Sequence, residues 1–330
     1  MSNPPCRIAW SLRPSNLAPI LALAIATAAA CGRPAEPPRE AAGAPAAAPE
    51  AGAAASPGEA PAATAAPAAP DAAAPDLANL LEAHAAMAAA LYDGGKGAEA
   101  ERVYRGLLEQ APDHVASLVG LSQILVDRGD LDGAGAAVDR ALKANPQSAP
   151  ALQQKVIVLI AGDHGKEAVA AAEGAVRAHP DSPALQAALG DAERAFGDVP
   201  KAIAAYRKAS SLNPQWAPGF TKLGEALAEN GDAAEAQKAL QRALALNPES
   251  YPAYRALARL QYDNGAPSQA VTSWEAAVRL QPERGEAHEG LAAALLAAKR
   301  PADARTHAVT AQRLGRDVTG LMKQIDAASK

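Results

Sequence analysis

The sequence predicts an all-α solenoid made from a repeated pair of helices, and three observations carry that prediction. Pro112, Pro146, Pro180, Pro214, Pro248 and Pro282 follow one another at intervals of 34 residues, a period of the size that marks stacked repeats rather than one globular core. With each of these prolines set at position 32 of a 34-residue unit, units begin at Leu81, Val115, Ala149, Pro183, Ala217, Tyr251 and Gly285, and position 20 is alanine in all seven, from Ala100 to Ala304. Only 3% of residues are aromatic while 91 of 330 are alanine, which favours thin helical layers in close contact over a thick core.

The chain opens with Arg7 and Arg13, then the uncharged run LAPILALAIATAAA at 17–30. Residues 1–30 read as a secretory signal peptide, because the run falls short of the roughly 20 apolar residues that span a bilayer as a helix. The junction AAACGR resembles a bacterial lipobox, in which the cysteine, here Cys31, is acylated on sulfur and becomes the first mature residue; Ala28 stands where that pattern prefers leucine. In lipoproteins of this kind a glycine after the cysteine, here Gly32, goes with sorting to the outer membrane. The competing reading is an ordinary A-x-A cleavage site formed by Ala28 and Ala30, with a soluble secreted or periplasmic product. Residues 31–75 are dominated by Ala, Pro, Gly and Glu and cannot bury enough surface to offset their ordering entropy. They read as a disordered tether that, at about 3.1 Å per residue, reaches on the order of 100 Å.

The repeat array follows at 76–316. Asp76 is placed to cap a helix whose Leu77, Leu80, Leu81 and His84 share a face, so the first unit starts a turn early. Within units, Gly129-Asp130, Gly197-Asp198 and Gly231-Asp232 sit at positions 15 and 16, where glycine can end the first helix in the left-handed region and aspartate can cap the second. Pro267 and Pro301 suit the first turn of second helices, and Pro150, Pro183, Pro218 and Pro252 the first turn of first helices. The recurring phrases NPQSAP, NPQWAP and NPESYP are therefore turns between units. In the tail at 317–330, Val318, Leu321, Met322 and Ile325 form an apolar stripe of helical spacing, which reads as a capping helix.

These residues resemble the tetratricopeptide repeat, a pair of antiparallel helices with small residues at positions 8, 20 and 27 and proline at 32. Position 8 carries Ala88, Ser122, Gly190, Gly224, Ala258 and Ala292, with Val156 the exception, and position 27 is alanine in six units and Leu107 in the first. The resemblance implies a right-handed superhelix of seven units whose first helices line a concave groove, with positions 2, 5, 9, 12 and 13 facing into it. Those positions place Tyr92, Val119, Gln123, Val126, Gln153, Ile157 and Ile160 in the first three units, and Asp191, Arg194, Glu225, Glu229, Arg255, Arg259 and Tyr262 in the next three. The expectation is an apolar front half that holds the apolar face of a partner segment and a charged back half whose Arg255 and Arg259 meet its acidic groups. The opposing expectation is that superhelical twist buries the isoleucines against the neighbouring repeat, with Lys155 at position 7 signalling a local shift in unit three. The carboxylate clamp of chaperone-binding relatives needs Lys and Asn at positions 5 and 9; Ala85, Ala89, Val119 and Gln123 stand there instead.

No signature of a catalytic, metal or cofactor site is visible. The six histidines are scattered, His288-Glu289 lacks the second histidine of a zinc-protease helix, and there is no nucleophile elbow or phosphate loop. A net charge of −5 with dispersed Lys and Arg disfavours nucleic acid. The sequence reading is a non-catalytic protein-binding scaffold or assembly adaptor of the cell envelope, anchored through lipid on Cys31 and facing the periplasm. The alternatives are a pilotin-like factor for pilus or secretion assembly and an accessory subunit of envelope polysaccharide synthesis or export.

Overall fold

The computed structural model describes residues 77–329, and its described residues form fifteen helices and no strand. The expected signal peptide and tether, Cys31 and the expected cap Asp76 lie outside the described residues. Seven helical hairpins follow in order: α1 (Leu77–Asp93) with α2 (Gly97–Gln110), α3 (Val115–Asp127) with α4 (Leu131–Ala144), α5 (Ala149–Ala161) with α6 (Gly165–Ala178), and α7 (Pro183–Ala195) with α8 (Val199–Leu212). The series continues with α9 (Ala217–Glu229) and α10 (Ala233–Leu246), α11 (Tyr251–Asp263) and α12 (Pro267–Leu280), α13 (Gly285–Ala297) and α14 (Pro301–Arg313), and ends with the single helix α15 (Thr319–Ala328). Among the described residues no helix is long and apolar enough to cross a membrane.

The turns are set by backbone chemistry. Position 15 lies in the left-handed region in every unit, as Gly95, Gly129, Gly197, Gly231 and Gly265 and also as Asp163 and Lys299, with φ of 59° and 61° at the last two. Asp130 and Asp198 accept from the amides of Gly133 and Lys201 and so cap their helices. Asp232 does not cap α10; its carboxylate is taken by the Asn230 side chain at 2.8 Å. Between units, the side chains of Asn145, Asn213 and Asn247 each accept from the amide two residues on, across the proline, which closes the turn. Ser148, Ser182 and Ser250 then cap α5, α7 and α11.

Packing follows a rule of paired volumes. A side chain at position 24 of the second helix lies against position 8 of its own first helix and position 6 of the next. A Cβ on Gly190 would stand 2.5 Å from Tyr206, one on Gly120 2.2 Å from Tyr104, and one on Gly290 2.4 Å from Trp274, so these large side chains fill space that glycine leaves open. Unit three inverts the pair, with the larger Val156 at position 8 and Ala172 at position 24, both buried. Its position 7, leucine in five of the other units, is Lys155, which turns outward to Asp139 at 3.1 Å. The far end is closed by α15, where Val318 and Ile325 are buried and Leu321 and Met322 lean on the last apolar cluster.

Candidate functional site

First helices touch first helices along the array. Close contacts join α1 to α3, α3 to α5, α5 to α7, α9 to α11 and α11 to α13, while no comparable contact joins consecutive second helices. The first helices therefore form the inner layer. The step from α7 to α9 differs, because these two helices approach less closely than the others.

The front of this inner layer is closed. Gln123, Val126, Ile157 and Ile160 are all buried, and the expected exposed apolar groove is corrected accordingly. Ile157 joins the cluster of the first two units with Leu121, Ile124 and Val126, whereas Ile160 packs forward on Ala188 and Ala192 of α7. Apolar side chains at these positions are used up by the junctions between units. Val119 is half-buried beside Leu118 and Ala151. At the edge of the surface the Tyr92 hydroxyl donates to the exposed Asp127, and the buried Gln123 amide reaches both at 3.4 to 3.5 Å. Burial and then the hydrogen bond to Asp127 raise the Tyr92 phenol above its ordinary value, so it stays a donor.

The back half repeats the same step with charges. Tyr92 links position 12 to positions 9 and 13 of the next unit, and Arg194 does so again: its guanidinium grips Glu229 through two nitrogens at 2.7 and 2.9 Å and Glu225 at 3.0 Å. Arg255 takes the other oxygen of Glu225 at 2.9 Å and approaches Glu286 at 3.7 Å. A diagonal line of alternating charge thus crosses α7, α9, α11 and α13. Burial opposes ionisation of Glu225, but the two guanidiniums outweigh it and hold the carboxyl below the usual range. The same balance, with the carboxylates prevailing over burial, keeps Arg194 and Arg255 firmly protonated.

Beneath that line lies a second link. The Lys222 amine sits 2.7 and 2.8 Å from the two oxygens of Asp191, which also accepts from the Tyr206 hydroxyl at 2.7 Å. Lys222 is 6% exposed, and it spans the α7 to α9 step where the backbones stand apart. Sequence reasoning placed Asp191 in the groove but passed over Lys222, Asp127 and Glu286. A legible signal existed for Lys222, since position 6 is Ala, Gly or Gln in every other unit. Arg259 and Tyr262 are half-buried and edge a shallow notch with Asp263, Trp274, Gly290 and Ala293.

Comparison with known families decides what this array is. Two models described as tetratricopeptide repeat match it, one at residues 91–156 and 227–273 and the other at 156–215 and 255–316, together more than half of the chain. The chain belongs to the tetratricopeptide repeat family. No curated protein matches this tetratricopeptide repeat chain. Among solved structures it is similar to a chain of the APC/C hetero-tetramer Cut9–Hcn1, at 15% identity and a TM-score of 0.64, over 76% of this chain and 49% of that one. It thus spans about half the length of that relative. A tetratricopeptide repeat protein from Parabacteroides merdae ATCC 43184 is similar at 15% identity and a TM-score of 0.51, over 76% and 99% of the two chains. PilF of Pseudomonas aeruginosa is similar at 17% identity and a TM-score of 0.54, over 64% and 96%. At these identities the likeness is one of fold.

Proposed function

We propose that this tetratricopeptide repeat chain is a non-catalytic scaffold of the bacterial cell envelope that binds partner proteins on the inner face of units four to seven. The repeats and the repeat-protein structures similar to it support a protein-interaction scaffold. The observation that carries the choice of region is the charged diagonal from Arg194 to Glu286, which lies on the inner layer with Glu229, Arg259 and Tyr262 at its accessible edge. Paired charges held on rigid helices present fixed donors and acceptors, so a segment carrying its own alternating charges can match them without reordering the site. The lipobox-like AAACGR and the proline-rich stretch after it support lipid anchoring at Cys31 and a periplasm-facing position at the outer membrane. The likeness to PilF is one of fold and does not single out pilus assembly.

In-cell photo-crosslinking tests the binding reading, with the probe at Glu229 or Tyr262 and exposed Lys238 on α10 as control. A distinct envelope protein captured at Glu229 or Tyr262 and absent at Lys238 is the expected result; adducts identical to the control would overturn it. The anchoring reading predicts that Cys31→Ser moves the chain from the membrane fraction to the soluble fraction, and an unchanged distribution would exclude lipid on Cys31.

A further inference from the structure

The two ends of the array are finished differently. At the far end α15 covers the last hairpin, whereas at the near end Leu77, Leu80 and Met87 are 60%, 42% and 48% exposed, three of the four exposed large apolar side chains among the described residues. They fall on one flank of α1. At 3.6 residues per turn, Leu80 and Met87 point roughly opposite to Glu82, and Glu82 reaches forward to His114, the residue just before α3, at 3.2 Å. The exposed flank therefore faces backward, to where a preceding repeat would stack. Residues 32–76 contain no Val, Leu, Ile, Met or aromatic side chain, so the stretch that leads into α1 has nothing large to lay over this surface.

We propose that the flank is an interface with a second copy of this chain, formed by two α1 helices running antiparallel about a twofold axis beside Ala83. The spacing of the residues argues for self-pairing. A twofold placed between Ala83 and His84 sets Leu77 opposite Ala90, Leu80 opposite Met87 and Ala83 opposite His84, so that a large side chain meets a small one or another large one across the axis. Ala83, His84 and Ala90 are exposed, and no Asp, Glu, Lys or Arg lies along the flank, so it has no charge with which to select a charged partner. Antiparallel helix dipoles also oppose each other favourably. A contact between single helices buries well under the roughly 1,200 Å² of a standard specific interface, the size class of weak, reversible association. The dimer joins two inner faces through their near ends and leaves units four to seven open, so its failure would leave the groove reading untouched.

Sedimentation equilibrium of the full chain tests this. The chain should dimerise reversibly, and Leu80→Glu with Met87→Glu should weaken association at least about tenfold with helical circular dichroism and melting temperature unchanged. In a chain carrying Cys6→Ser and Cys31→Ser, Ala83→Cys should form an oxidised dimer and Lys238→Cys should not. A monomer up to about 100 µM, or a dimer indifferent to the double substitution, would overturn the proposal, as would a cysteine at position 83 that links only to a different protein.

Discussion

Units one to three and units four to seven build their inner faces in the same register and reach opposite results. In the front, Ile157 and Ile160 are enclosed by the neighbouring hairpins, and the hydrogen bond from Tyr92 to exposed Asp127 lies above the buried Gln123. In the back, α7 and α9 stand further apart and long side chains bridge them, Arg194 to Glu225 and Glu229 above, Lys222 to Asp191 below. Position within a repeat fixes the direction of a side chain. Whether that side chain is exposed depends on how closely the next first helix approaches.

The largest effect should come from breaking the front. Ile157→Ser or Ile160→Ser removes buried apolar volume and adds a hydroxyl with no assured partner, at a cost of about 3 kcal/mol each. The melting temperature should fall, while capture at Glu229 and Tyr262 persists. Next comes the bridge beneath the charged line. Lys222→Met leaves Asp191 with only the Tyr206 hydroxyl and should cost about 2 kcal/mol. Adding Asp191→Asn should cost less than the two single changes combined, because the unpaired charge is then gone; thermal unfolding of the four proteins reads this coupling.

Smaller effects sharpen the contrast. Gly290→Ala gains helix propensity but drives a Cβ to 2.4 Å from Trp274, so a net loss of about 1 kcal/mol is expected. Trp274→Leu in the same chain should relieve the clash, measured as a non-additive change in melting temperature. Finally, Glu225 has a carboxyl depressed below its ordinary value near 4.5. Its ion pairs therefore contribute stability that is complete above that value and is lost as pH falls through the depressed folded value. Melting temperature plotted against pH should decline in that acid window, and Glu225→Gln should flatten the decline.

Most of the fold was legible in the sequence because its signals are local. The prolines at position 32, the glycine turns at position 15 and the small residues at position 8 each impose a backbone or close-contact requirement that a single unit reveals. Asp232 shows the limit even there, since Asn230 competes for its carboxylate. The inner face was harder to read. The burial of Ile157 and Ile160 depends on the junctions between hairpins, and nothing within one unit records how close those junctions are. Lys222 was hidden for a related reason: position 6 is ordinarily a contact position, and a lysine fits there only because its amine finds Asp191 one unit back. The Arg194, Glu225 and Arg255 line was visible as separate charges, but their pairing required the stagger of consecutive first helices.

The most direct measurement is cysteine accessibility in the chain carrying Cys6→Ser and Cys31→Ser. Single cysteines at positions 157, 160, 229 and 262 would be labelled with a thiol reagent under native conditions and again after unfolding. Slow native labelling is expected at 157 and 160, protected on the order of 100-fold relative to the unfolded chain, with fast labelling at 229 and 262. Equal native rates at all four positions would mean that the front half is open and that the division of the inner face drawn above is wrong.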